Sequence, residues 1–125
     1  MNEKFLLCEA CGNLIGRIHD AGVEMVCCGT PMQELIANSG DAAKEKHVPQ
    51  VSCEGTTLRV KVGEVLHPMT EEHHISWVFL ETQRGGQRKN LKPNEEPDIS
   101  FVLANDEAVA AYAYCNLHGL WKAEL

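Results

Sequence analysis

Thr57-Leu58-Arg59-Val60-Lys61-Val62 alternates polar and apolar side chains with period two, the pattern of a strand with one face on a core and the other in water. Three further short runs are of β type: Ile75 to Thr82 (ISWVFLET), Ile99 to Ala104 (ISFVLA) and Ala108 to Cys115 (AVAAYAYC). Alanine content alone would allow a helix in the last run. Tyr112 and Tyr114 alternate there with Ala111 and Ala113, which favours a strand. Turn-forming stretches separate the runs: Arg84-Gly85-Gly86-Gln87, Lys92-Pro93-Asn94 and Asn105-Asp106. Gly85-Gly86 lacks the Lys-Ser/Thr that follows in a phosphate loop, so it reads as a hairpin turn. Short strands with turns between them, and no amphipathic helix of three turns, predict a mainly β protein built on an antiparallel sandwich. There is no internal repeat.

Upstream the pattern changes. Cys8-x-x-Cys11 and the adjacent pair Cys27-Cys28 crowd into the first thirty residues. A module of about 35 residues buries too little apolar surface to stand without disulfides, a metal or a partner. The polar segment from Asn38 to Lys46 connects this module to the rest, with the boundary near Ala37, giving domains 1–37 and 38–125. Four sulfurs around one tetrahedral ion lie about 3.7 Å apart, which a Cys-x-x-Cys turn spans easily. Consecutive Cα atoms are about 3.8 Å apart, below the ~4.4 Å minimum of an ordinary disulfide, so Cys27 and Cys28 suit one ion better than one bond. A redox dithiol at Cys8/Cys11 lacks its βαβ context, and free thiols at Cys27/Cys28 would leave the module unstapled. Zinc and iron both accept four thiolates, and the spacing leaves both open.

The net charge of −7 argues against nucleic acid and anionic membranes as partners. Met1 to Leu7 holds no apolar core of signal-peptide length, and no apolar run is long enough to span a membrane. The expectation is a cytoplasmic protein, in which closely spaced cysteines are metal ligands or redox groups more often than disulfides.

A second donor set is dispersed through the larger domain. His67-Pro68-Met69-Thr70-Glu71-Glu72-His73 places two imidazoles on a loop before the Ile75 strand, and Cys115-Asn116-Leu117-His118 follows another strand, with Gly119 to relax the turn. His47 opens His47-Val48-Pro49 just after the linker. Loops carried on a rigid sandwich are where ligands are expected. Taken singly, each histidine is as well explained by a surface or core role. Adjacent side chains of a strand point to opposite faces, so His73 and His74 are not expected to share an ion. Cys53 is expected to be a buried core thiol, His19 and His74 surface residues or neighbours of ligands, and Trp77 and Trp121 core aromatics, Trp121 also being placed to shield the site.

The strings Cys8-Glu9-Ala10-Cys11-Gly12-Asn13, Cys27-Cys28-Gly29, Glu45-Lys46-His47-Val48-Pro49, His67-Pro68-Met69-Thr70-Glu71-Glu72-His73 and Cys115-Asn116-Leu117-His118-Gly119-Leu120-Trp121 closely resemble desulfoferrodoxin, the two-iron class of superoxide reductase. The resemblance implies a small desulforedoxin-like domain followed by an immunoglobulin-like sandwich, with two iron ions per chain. Cys8, Cys11, Cys27 and Cys28 would hold the first. His47, His67 and His73 through Nε, and His118 through Nδ, would surround the second, with Cys115 as its axial ligand.

It further implies one-electron reduction of superoxide to hydrogen peroxide without release of dioxygen, a rubredoxin-like electron donor and a homodimer. Lys46 would attract the anion and help deliver a proton, and Glu45 would correspond to the glutamate that can occupy the sixth ferric position. Composition alone makes Glu45-Lys46 an ordinary solvated pair. The rival is a non-catalytic metal-binding or electron-transfer protein with a structural four-cysteine module. A mononuclear iron oxygenase, with two histidines and a carboxylate, fits the donor set poorly.

Overall fold

The computed structural model describes residues 4–40 and 44–125, the Glu45 side chain excepted. The chain divides into two compact units, residues 1–36 and 37–125.

In the first unit β1 (Lys4–Leu7) pairs antiparallel with β2 (Leu14–Arg17). β3 (Val26–Cys27) and β4 (Thr30–Pro31) form a separate ribbon, and β5 (Gln33–Glu34) adds to the other edge of β1. Among the described residues of this unit only Phe5, Leu6 and Cys8 are buried, while Ile18, Val23, Met25, Val26 and Ile36 stand in solvent. A buried apolar side chain contributes about 1.5–3 kcal/mol, against an ordering cost of roughly 1–2 kcal/mol for each backbone residue. Packing falls short of that cost, so a metal, a disulfide or a partner has to supply the difference.

The second unit begins with one helical turn, α1 (Lys44–His47), where the sequence reads as linker. It continues through β6 (Pro49–Glu54), β7 (Thr57–Val62), β8 (Ile75–Thr82), β9 (Gly85–Asn90), β10 (Asp98–Val102), β11 (Ala108–Cys115) and β12 (Gly119–Glu124). These strands make two antiparallel sheets, ordered β10-β7-β6 and β12-β11-β8-β9. Leu58, Val60 and Val62 from β7 and Phe101 from β10 meet Val78 and Leu80 from β8 and Ala111 and Ala113 from β11 in one core. The mainly β sandwich expected from the alternating runs is the one present.

Some expectations need correction. The third run is strand over Asp98–Val102, and the Leu103 N–H that follows still donates in register to the Thr56 carbonyl at 2.8 Å. The stretch from Arg84 to Gln87 is not all turn: Thr82 already faces Gly85, and Gly85–Asn90 is β9. Gly86 is required within it because the ring of Phe79 fills the space a Cβ would take. Cys53 is exposed rather than buried. It faces Leu58 across the β6–β7 ladder, but at the rim where the sandwich opens into a cleft of about 660 Å³ lined also by Val51, Leu103 and Leu125.

Two features of the four-stranded sheet shape one end of the sandwich. Asn38 covers the free edge of β12: its N–H donates to the Leu120 carbonyl (2.9 Å), its Nδ2 to the Lys122 carbonyl (3.1 Å), and its Oδ1 accepts from the Lys122 N–H (2.8 Å). From Ala110 opposite Glu81 the β8–β11 register runs evenly to Tyr114 opposite Trp77, then jumps to Cys115 opposite Ile75. The extra residue, Ser76, makes a bulge that resets the alternation. Ile75, completely buried, therefore joins Val78 and Leu80 in the core.

Candidate metal centres

In the first unit, Cys8 and Cys11 lie on a tight turn after β1. The Gly12 N–H donates to the Cys8 carbonyl and the Cys8 N–H to that of Asn13, both at 2.8 Å. Cys28 and Gly29 are the two central residues of the β3–β4 hairpin, with φ of 54° and 76°, the left-handed pair of a type I′ turn. This bend lets adjacent cysteines serve one point. Cys11 Sγ lies 3.6 Å from Cys27 Sγ, and Cys27 Sγ 4.0 Å from Cys28 Sγ, close to the ~3.7 Å of a tetrahedral four-sulfur site. All four sulfurs fall within 4.8 Å of one another. Backbone N–H donation from Cys11 brings the Cys8 thiol down to about 7, while hydrogen bonds among the thiols, first with Cys11 and Cys8, push Cys28 up to about 12. One thiolate forms readily and the last is resisted by its neighbours, so four thiolates together require a cation among them.

In the second unit five donors converge from four places: His47 at the end of α1, His67 after β7, His73 before β8, and Cys115 and His118 on the β11–β12 turn. The imidazoles form a closed ring in the order 47, 67, 73, 118. Neighbouring centroids are 4.5, 4.5, 5.0 and 5.0 Å apart, and the 47–73 diagonal is 6.3 Å. Each ring stands nearly perpendicular to the next, with interplanar angles between 77° and 87°.

The donor atoms fit a metal ion. His47 Nε2 lies 3.1 Å from His67 Nε2 and 3.2 Å from His118 Nδ1. Nitrogens at right angles, each about 2.1 Å from an ion, would be about 3.0 Å apart. His73 Nε2 is buried without a hydrogen-bond partner, a costly state that a ligand relieves. His67 Nδ1 donates to the Pro68 carbonyl at 2.7 Å, which fixes the tautomer and leaves Nε2 its lone pair. Burial brings the His67 imidazole down to about 4, and burial followed by the neighbouring imidazoles and Lys46 lowers His73. Neutral imidazole is the form that ligates.

Cys115 is completely buried, and its Sγ is 3.8 Å from His118 Nδ1. Burial raises its thiol, against opposing N–H donation from Leu117 and His118. Trp121, also completely buried, packs against His47 with ring centroids 4.9 Å apart and the planes tilted by 34°. Among the described residues no sixth donor joins the five. Lys46 is exposed beside His47, and the Glu45 side chain lies outside the described residues. His74 points elsewhere, with Nδ1 3.0 Å from the Thr70 carbonyl. His19 is exposed.

A family model described as desulfoferrodoxin matches residues 39–124. The chain belongs to the desulfoferrodoxin family. It is 44% identical over 116 residues to a desulfoferrodoxin homolog of Archaeoglobus fulgidus, covering 93% of this chain and 92% of that one. It is likewise 44% identical over 117 residues to the desulfoferrodoxin of Nitratidesulfovibrio vulgaris, covering 94% and 92%. Among solved structures, the superoxide reductase of Treponema pallidum superposes with a TM-score of 0.84 at 39% identity, covering 99% of this chain and all of that one.

The sequence reading of this desulfoferrodoxin-family chain missed three residues that shape the centre. Ser76 supplies the bulge, Gly63 allows the α1 segment to approach closely, and Asn116 bonds to the backbone on either side of His73. Only the third left a signal, an amide side chain between two of the clustered donors.

Proposed function

We propose that the protein is a superoxide reductase, with His47, His67, His73, His118 and Cys115 holding the active iron and Cys8, Cys11, Cys27 and Cys28 holding a second. The observation that carries this reading is the ring of four imidazoles, with donor nitrogens 3.1 and 3.2 Å apart around His47 and a buried thiol beside it. When bound, ferrous iron would supply the one electron that, with two protons, converts superoxide to hydrogen peroxide, and the Cys115 thiolate would donate charge to it.

The chain's own residues do the rest. Burial keeps His67 neutral, and the Pro68 carbonyl aims it. Trp121 holds His47 and keeps water from that ring. Lys46 draws the anion: charge near the site outweighs a screened net charge of −7, and its ammonium can pass a proton through water. Glu45 is assigned from the sequence resemblance alone.

No helix is long and apolar enough to cross a membrane. A cytoplasmic setting, a rubredoxin-like donor and a homodimer complete the proposal, as does a boundary between an iron-stapled domain of residues 1–37 and a catalytic sandwich of residues 38–125.

Metal analysis with an absorption spectrum tests it. Two irons per chain are expected, with a thiolate-to-iron band of the oxidised second centre that superoxide restores after reduction and Cys115→Ser abolishes. Colourless protein holding only zinc would favour the non-catalytic alternative, and a band that survives Cys115→Ser would remove Cys115 from the ligand set.

A further inference from the structure

Asn116 sits on the exposed turn between Cys115 and His118, where a solvated amide needs no protein partner. It makes three hydrogen bonds to one loop. Its Oδ1 accepts from the His74 N–H at 2.8 Å, its Nδ2 donates to the Glu72 carbonyl at 2.9 Å, and its own N–H donates to the His74 carbonyl at 3.1 Å. Residues 72 and 74 flank His73, so the carboxamide grips the loop on both sides of that ligand. The two contacts need opposite polarities, an acceptor and a donor, which asparagine offers and aspartate does not.

The grip falls where regular pairing stops. Cys115 opposite Ile75 is the last rung of the β8–β11 ladder, already displaced by the Ser76 bulge, and residues 71–74 belong to no strand. Thr70 closes the same loop, its Oγ1 accepting from the His73 N–H at 3.1 Å. Beyond the last rung, Asn116 joins that loop to the turn carrying the thiolate and the fourth imidazole.

We infer that Asn116 is a positioning residue whose carboxamide locks the His73 loop onto the Cys115–His118 turn, fixing His73 relative to the sulfur and to His118. The inference rests on the ligand assignment proposed above, and its test separates the two. Asn116→Ala removes both side-chain bonds. Asn116→Asp keeps the shape and an acceptor for His74 but sets a carboxylate oxygen against the Glu72 carbonyl. The measurement is the rate at which the second centre loses iron to a chelator, followed by its thiolate band, with the four-sulfur centre of the same molecule as reference.

Release from the second centre should rise roughly ten- to hundredfold in Asn116→Ala, the usual range for residues that orient ligands, and should also rise in Asn116→Asp. The four-sulfur centre should keep the parent rate, and urea unfolding of the metal-free sandwich should change little. Parent-like release in both variants, with a parent band that Cys115→Ser abolishes, would overturn the positioning role and leave the ligands standing. Faster release explained by an equal loss of metal-free stability would overturn it too. A parent band that survives Cys115→Ser would overturn the ligand assignment and this inference with it. If Asn116→Ala does not fold, the isosteric aspartate variant carries the test.

Discussion

Gly63→Ala probes how closely the α1 segment is held against the strand that precedes His67. Gly63 has φ of +87°, and a Cβ there would lie 2.5 Å from the Val65 carbonyl oxygen and 2.7 Å from both the carbonyl carbon and oxygen of Lys46. All three are backbone atoms, which cannot swing away as a side chain can. The Gly63 N–H also donates to the Val48 carbonyl at 3.1 Å, so the contact is tied from both sides. Two costs add. Left-handed backbone with a Cβ costs roughly 1–2 kcal/mol, and overpacking a filled site about 1–3 kcal/mol, for a total of about 2–5 kcal/mol. Gly55→Ala isolates the first: Gly55 has φ of +64° on the β6–β7 hairpin, with nothing within 4 Å of its Cβ position. Urea unfolding of the two metal-free variants should therefore differ by about 1–3 kcal/mol. The segment that must move carries Lys46 and His47, so Gly63→Ala should also slow the reaction with superoxide, which Gly55→Ala should not. Equal stability losses and equal rates would refute the close-approach argument.

Lys46→Ala should slow the reaction with superoxide and flatten its dependence on ionic strength, measured by pulse radiolysis over a salt series; an unchanged rate and profile would remove Lys46 from the mechanism. Asp98 tests the outer face of the smaller sheet. Hydrogen bonds from Arg59, with Nε–Oδ1 at 2.7 Å, hold its carboxyl below the ordinary value of 3.8. A depressed carboxyl stabilises fully above its unfolded value and loses that contribution as pH falls through the folded one. Arg59 is largely exposed, so Asp98→Asn should cost only about 0.5–1 kcal/mol near neutrality. Urea midpoints should show the gap between parent and variant closing below about pH 4, and a gap independent of pH would count against the pair.

What the sequence made legible follows from which faces are apolar. β7, β8 and β11 lie in the interior of their sheets and carry core side chains, so their patterns stand out. β9 is an edge strand of Gly85-Gly86-Gln87-Arg88-Lys89-Asn90 with hardly any burial, and nothing in its composition distinguishes it from a turn. Cys53 was misjudged because inward orientation and burial part company at the rim of the sandwich, where a side chain can face the core side and still meet solvent. The side chains gathered in both donor clusters were legible because donor chemistry restricts residue type. Their supports were not. A bulge at Ser76, a close approach at Gly63 and a two-ended amide at Asn116 are facts of backbone geometry that any sequence pattern leaves silent.

His47 and His118 stand 71 positions apart and meet at 3.2 Å. During synthesis the imidazole ring therefore cannot close until the β11–β12 turn has left the ribosome, whereas every thiol of the N-terminal unit precedes residue 29. Domains emerging first can fold first, and metal binding is itself folding energy for sites assembled from distant ligands. The sulfur centre can load on a nascent chain, while a chain truncated before His118 lacks one side of its second centre, so competence to hold both metals arrives only once the β11–β12 turn has emerged.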